Sequence, residues 1–121
     1  MLEVLSLVIF SQQPLMPLAD GVASYYTMSA NGAQTASGIP FNEAEYTCAM
    51  LDGQLGAKVL VVADGGKSVV CRITDRGPYA KGRVVDLSPV AMRSLHPNAG
   101  TLHVRVFRVE DNTPVGPETR T

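Results

Sequence analysis

The sequence predicts an all-β domain of six or so short strands with one short helix, closed as a barrel or packed as a sandwich. Three observations lead there. The 121 residues include 11 glycines and 8 prolines, which helix interiors disfavour and turns require. Two β-branched runs, Ala57 to Ala63 and Lys67 to Thr74, flank Asp64-Gly65-Gly66, a strong hairpin signal. Only the stretch from Ser88 carries a convincing helix start. Many short strands with little helix define the class.

The elements follow in chain order. Met1 to Phe10 (MLEVLSLVIF) is apolar with one acid and no Lys or Arg. It is too short to span a bilayer. A secretory signal would carry a basic start and a small-residue cleavage site. Glu3 stands where the basic start would be, Pro17-Leu18-Ala19-Asp20 makes a poor cleavage site, and no cysteine follows for lipid attachment. Residues 1–20 therefore read first as an apolar arm and linker that packs on a partner or neighbouring subunit, and second as a signal-like segment. Pro14 and Pro17 keep residues 11–20 extended.

Gly21 to Met28 suits a strand through its apolar and aromatic residues. Ser29 to Gly38 is small and polar, a long loop of the kind that carries function. Glu45 to Met50 is a short strand candidate. The hairpin strands follow, and Asp75-Arg76-Gly77-Pro78 breaks the second of them. Arg83 to Leu87 is another strand. Ser88 can cap a helix and Pro89 suits its first position. Val90, Ala91, Met92 and Leu95 give that helix an apolar face, and Pro97 ends it. In Leu102 to Val109, residues Leu102, Val104, Val106 and Phe107 compete for the inward side while Arg105 and Arg108 face water. The domain proper is expected over residues 21–110. Residues 111–121 are polar and Pro-containing, and are expected to be a loose tail.

Net charge is −1, with Lys and Arg scattered. That argues against a phosphate-tracking stripe, so no nucleic-acid partner is expected. His96 and His103 lack metal-ligand spacing and read as surface residues, and no metal or cofactor is expected. Cys48 and Cys71 form no C-x-x-C pair. They are a disulfide candidate, worth about 3 kcal/mol in the chain-entropy model. The alternative is two buried thiols behaving as small hydrophobes.

Several motifs then recur in order. Gly21-Val22-Ala23-Ser24-Tyr25-Tyr26 resembles the G-x-A-S-[WY]-Y opening of rare lipoprotein A domains. Thr35-Ala36-Ser37-Gly38 resembles their T-A-[SN]-G. Thr74-Asp75-Arg76-Gly77-Pro78-Tyr79 is similar to their D-R-G-P-[FY] segment, and Gly82-Arg83-Val84-Val85-Asp86-Leu87-Ser88 to their G-R-x-[IV]-D-L-S. Asp86-Leu87-Ser88-Pro89 also resembles the D-L-S-P of bacterial expansins. The resemblance covers about residues 21 to 109. It implies a six-stranded double-psi β-barrel and an extracytoplasmic role on peptidoglycan or a related wall glycan. Rare lipoprotein A members cleave glycan strands as lytic transglycosylases, whereas expansins bind and loosen wall polysaccharide.

The same resemblance implies that Asp75 and Asp86 are the candidate catalytic acids. Tyr25, Tyr26, Arg76 and Tyr79 are the candidate glycan contacts. A general acid must deliver a proton to the leaving glycosidic oxygen, which an apolar setting favours, and Asp86 is flanked by Val85 and Leu87. Adjacent strand residues point oppositely, so one of Tyr25 and Tyr26 belongs to the interior. Structural roles compete with these. Asp75 can brace the Gly77-Pro78 turn, Asp86 can help cap the helix, and Arg76 can pair with an acid across the groove or stay solvated. The chain also departs from the catalytic pattern. Ile39 stands where the family has Glu, and Met50 where it has His after T-A-A. Neither can transfer a proton.

Two readings follow. One is a wall-polysaccharide-binding module, weak or inactive as a lytic transglycosylase. The other is a structural component of a phage virion, capsid or tail, whose N-terminal arm packs on a neighbouring subunit.

Overall fold

The computed structural model describes residues 16–26 and 32–118. Most of the apolar arm and the start of the long loop lie outside these residues. The described chain forms β1 (Ala19–Tyr25), β2 (Thr47–Ala49), β3 (Lys58–Ala63), β4 (Ser68–Asp75), β5 (Arg83–Leu87), α1 (Pro89–Leu95), β6 (Leu102–Arg108) and β7 (Gly116–Pro117). The strands run in the order β2-β5-β1-β6-β3-β4, and β2 also pairs with β4. That last pairing closes a six-stranded barrel and removes its open edges. β1–β5 and β2–β4 are parallel, and the other barrel pairs are antiparallel. This is the double-psi barrel that the motifs imply.

Local sequence explains most elements. β3 and β4 are the two β-branched runs, turned by Asp64-Gly65-Gly66, and they pair from Lys58–Arg72 to Val62–Ser68. β3 alternates half-buried and buried residues, so Val59, Val61 and Ala63 face the core. In β6 the competition for the interior goes to Val104 and Val106, both fully buried, and Phe107 lies half-buried. Ala23, Ile73, Val85 and Leu87 complete the middle of the core. The Val, Ile and Leu side chains among them are worth about 1.5–3 kcal/mol each on full burial. Gly21 lets β1 run close to the start of β5. A Cβ there would lie 2.7 Å from a Val84 methyl and 2.9 Å from the Gly82 carbonyl oxygen.

Two expectations change. Ser88 precedes α1 and Pro89 opens it, but the Ser88 hydroxyl makes no cap bond. Instead its Oγ accepts the Thr47 N–H at 3.3 Å, and its own N–H reaches the Thr47 carbonyl at 2.9 Å. Ser88 is fully buried, and its polar atoms are used to hold β2. Residues 111–118 of the expected loose tail, the part that is described, return to the barrel. Gly116 and Pro117 pair with Val70 and Val69 of β4, and Lys58 Nζ donates to the Thr113 carbonyl at 2.6 Å. α1 buries Pro89, Ala91, Met92 and Leu95, while Val90 is only half-buried. Among the described residues, no helix is long and apolar enough to cross a membrane.

His103, on β6, is a surface residue, yet it is clamped. Its Nε2 lies 2.7 Å from Asp20 Oδ1 on β1, and its Nδ1 lies 2.7 Å from Asp64 Oδ1 in the β3–β4 turn. As an imidazolium it donates to both. These hydrogen bonds, Asp64 first and then Asp20, raise its pKa above the ordinary 6.5. The folded state therefore binds the proton more tightly than the unfolded chain. The clamp's contribution is complete below about pH 6.5 and is lost as pH rises through the raised folded value. Exposure to solvent keeps the effect modest and salt-sensitive. We expect urea midpoints of the wild type to fall between pH 6 and 9 by more than those of His103→Gln, with the difference shrinking in 1 M salt. Equal pH slopes in the two proteins would contradict the clamp.

Candidate functional site

The site is organised by β2. Ala49 is the register partner of Asp75 on β4 and of Asp86 on β5. The two acids therefore flank one short strand, about 10 Å apart across two strand spacings. They lie on consecutive strands, eleven residues apart in the chain, and are held on either side of β2 because it pairs with both.

Asp75 ends β4 with both carboxylate oxygens engaged. Oδ1 accepts the Ala36 N–H at 3.0 Å and the Arg76 N–H at 2.9 Å. Oδ2 accepts the Tyr26 hydroxyl at 3.2 Å. Asp75 thus braces its own turn, as one sequence reading has it, and it also ties down the Thr35-Ala36-Ser37-Gly38 loop. Gly77, just beyond, has φ +121°, in the region that favours glycine, and the Gly77–Pro78 peptide is cis.

Asp86 has a different environment. Its Oδ1 accepts from Ser24 Oγ and from Arg83 Nη2, the latter at 2.9 Å, and Arg83 Nη2 also donates to Ser24 Oγ. The apolar neighbours Val85 and Leu87 point the other way, into the core, with both side chains fully buried. The Asp86 side chain is 19% exposed, faces its ion-pair partner and does not cap the helix. Sequence reasoning missed Ser24 and Arg83 as partners. Arg83 and Asp86 are three apart on one strand, positions that regular alternation places on opposite faces. Only the chain path at the start of β5 brings them together.

Tyr26 hydrogen-bonds Asp75 and lies within electrostatic reach of Asp86. Its ring meets Phe41 at a centroid distance of 4.5 Å. Burial, then the charge and hydrogen bond of Asp75, and more weakly the charge of Asp86, push its phenol well above its usual range. It holds its proton firmly and donates it to Asp75. Tyr25 points away and is 42% exposed, in a separate groove with Pro89, Arg93 and His96. Tyr79 is 79% exposed beyond the Gly77–Pro78 turn. Among the described residues Arg76 pairs with no acid, and it is half-buried. Its Nη1 donates to the carbonyls of Met50, Leu51 and Gly53, at 3.2, 3.4 and 2.8 Å, anchoring the loop after β2.

The two departures from the family pattern take separate places. Ile39 is 55% exposed and lines a groove of about 460 Å³ with Phe41, Tyr46, Lys58, Arg72 and Thr74. Its lining includes Thr74, which precedes Asp75 in the chain, and Phe41, which packs on Tyr26, but not Asp75 or Tyr26 themselves. Met50 is fully buried, and its N–H donates to the Asp75 carbonyl at 3.1 Å. Cys48 and Cys71 are buried thiols whose sulfurs lie 2.7 Å apart.

Comparison with known proteins agrees with this geometry. The family model described as lytic transglycolase matches residues 18–106. The endolytic peptidoglycan transglycosylase RlpA of Pasteurella multocida is 45% identical over 93 residues, covering 75% of this chain and 32% of that protein. The probable endolytic peptidoglycan transglycosylase RlpA of Treponema pallidum is 43% identical over 95 residues, 77% of this chain and 30% of its own. The chain thus spans about a third of the length of these curated relatives. A variant expansin of Clavibacter michiganensis, solved in complex with cellohexaose, superposes with a TM-score of 0.60 at 19% identity, over 79% of this chain and 52% of that one. With the barrel closed, the motifs in place and the family model spanning nearly all of the barrel, the chain belongs to the lytic transglycolase family as an RlpA-like and expansin-like double-psi β-barrel domain.

Proposed function

We infer that this domain binds peptidoglycan or a related wall glycan outside the cytoplasm, in the groove beside Asp75, and that it is weak or inactive as a lytic transglycosylase. The observation that carries this reading is the state of the two acids. Lytic cleavage breaks the C1–O glycosidic bond. A general acid gives its proton to the leaving oxygen, and a sugar hydroxyl attacks C1, passes its proton back to the resulting carboxylate and closes an anhydro ring, so no water is needed. That acid must hold a proton aimed at the substrate.

Asp75 instead receives three donors, and Asp86 receives a guanidinium and a hydroxyl. Both are arranged to accept hydrogen bonds. The position of the family Glu holds Ile39, and the position of the family His holds a methionine inside the core. Tyr26 does not substitute, because its proton is committed to Asp75 and its phenol is hard to ionise. What is left suits recognition. Sugar hydroxyls can donate to a carboxylate, and the exposed Tyr79 ring offers an amphipathic face. The RlpA relatives named for peptidoglycan and the expansin solved with cellohexaose support a glycan over other ligands.

The test is co-sedimentation with purified peptidoglycan, followed by analysis of released muropeptides. The expected result is pelleting without anhydro-muropeptide release. Tyr79→Ala should weaken pelleting about fivefold, the equivalent of about 1 kcal/mol. Ile39→Glu, at an exposed position in the groove, should raise anhydro-product release above wild type. Met50→His should only destabilise, by about 2 kcal/mol, because it buries a polar ring. Efficient release by the wild type, lost in Asp86→Asn or Asp75→Asn, would establish an enzyme instead. Absence of any pelleting would favour a structural role for the barrel.

Tyr26 gives an independent check of the geometry. The difference in 295 nm absorbance between wild type and Tyr26→Phe should show no phenolate step near the ordinary value of 10.0. A step there would mean that the hydroxyl is not held against Asp75.

A further inference from the structure

Cys48 and Cys71 take no part in the glycan reading, yet their placement is specific. Cys48 is the middle residue of β2 and the register partner of Ile73 on β4. Cys71 lies two residues before Ile73, so it shares that residue's face of β4. All three side chains are fully buried in the core. Cys71 Sγ meets Cys48 Sγ at 2.7 Å, and Cys48 Sγ also faces the Arg72 carbonyl oxygen at 3.6 Å. A disulfide needs about 2.05 Å between sulfurs, so bonding asks for less than about an ångström of approach.

The seam they straddle is the one that closes the barrel. β2 contributes three residues to it, and the register shifts between Cys48 and Ala49. The next residue, Ala49, is the one that pairs with both acids. We propose that Cys48 and Cys71 are joined by a disulfide in the mature protein, stapling β2 to β4 at the barrel's closing seam.

The chemistry is ordinary thiol–disulfide exchange. One cysteine thiolate attacks a small-molecule or protein disulfide and releases a thiol. The second cysteine then displaces the remaining mixed-disulfide partner, which leaves as the second thiol. The protein loses two hydrogens, and the external disulfide gains them as two thiols. Compartments outside the cytoplasm supply such oxidants, and small exported domains use staples of this kind.

The burial sets the timing. Neither sulfur is exposed, and burial pushes the Cys48 thiol up, so the attacking thiolate is suppressed in the closed barrel. Exchange therefore happens before the barrel closes, and the finished bond is shielded from reductants.

The test refolds the full chain in a buffer of oxidised and reduced glutathione. The product is denatured and treated with iodoacetamide, with or without prior reduction, and weighed. The expected result is no label without reduction, two labels after it, and an unlabelled mass about 2 Da below the dithiol. The oxidised protein should melt roughly 10 °C above its reduced form. A Cys48→Ala, Cys71→Ala double variant should melt with the reduced form and ignore reductant. The native oxidised protein should resist reductant for far longer than the urea-unfolded one. Two labels without reduction, after folding in the oxidising buffer, would overturn the proposal. So would mixed disulfides with glutathione on separate cysteines. None of these readouts involves glycan, so they stand apart from the binding test.

Discussion

β2 contributes three residues, yet both the closure of the barrel and the placement of the acids depend on it. It pairs with β4 in parallel and with β5 antiparallel, so it supplies the contact that turns an open sheet into a ring. A strand so short cannot hold two neighbours by ladder bonds alone. Ser88 reinforces it from the start of α1 through two hydrogen bonds to Thr47. Arg76 ties the following loop to the end of β4 through three carbonyls. Buried Met50 and Cys48 pack it from inside. These devices converge on one segment because its loss would open the barrel and separate Asp75 from Asp86.

The same arrangement explains why both acids accept hydrogen bonds from several neighbouring groups. Asp75 ends β4 and is reached by backbone N–H groups, whereas Asp86 lies within β5 and is reached by neighbouring side chains. At Asp75 the reach includes the backbone of a loop some forty residues earlier in the chain, brought in by the turn after β4. At Asp86 it includes Ser24 and Arg83. Electrostatically, both sites favour a group that accepts. A glycan rich in hydroxyls can exploit such acceptors, and the neighbouring groove gives it a concave surface.

Much of the fold was legible in the residues. β3, β4 and β5 lie within a residue or so of their β-branched runs, because branched side chains fit a pleated surface and Gly or Pro bounds each run. α1 starts at Pro89 as its sequence indicates. β7 was not legible, because Gly116-Pro117 has no strand signature and exists only as a partner for β4. Nor was the use of the Ser88 hydroxyl. A residue with a capping signature bonds across to β2 when that strand lies closer than its own helix turn.

By itself, the sequence determined most of the barrel strands from local pattern, and the barrel and the positions of the two acids through the motifs that resemble a known family. It also showed that Ile39 and Met50 cannot transfer protons. The tertiary structure decided what those facts amount to. It placed Ile39 in the groove and Met50 in the core, turned Tyr26 toward Asp75 and Tyr25 away, and paired Asp86 with Arg83. It also brought two sulfurs together that are separated by 22 residues of chain. These are contacts between residues far apart in sequence, or on opposite faces of one strand. They come into being only when parallel strands close a ring, so no local propensity encodes them.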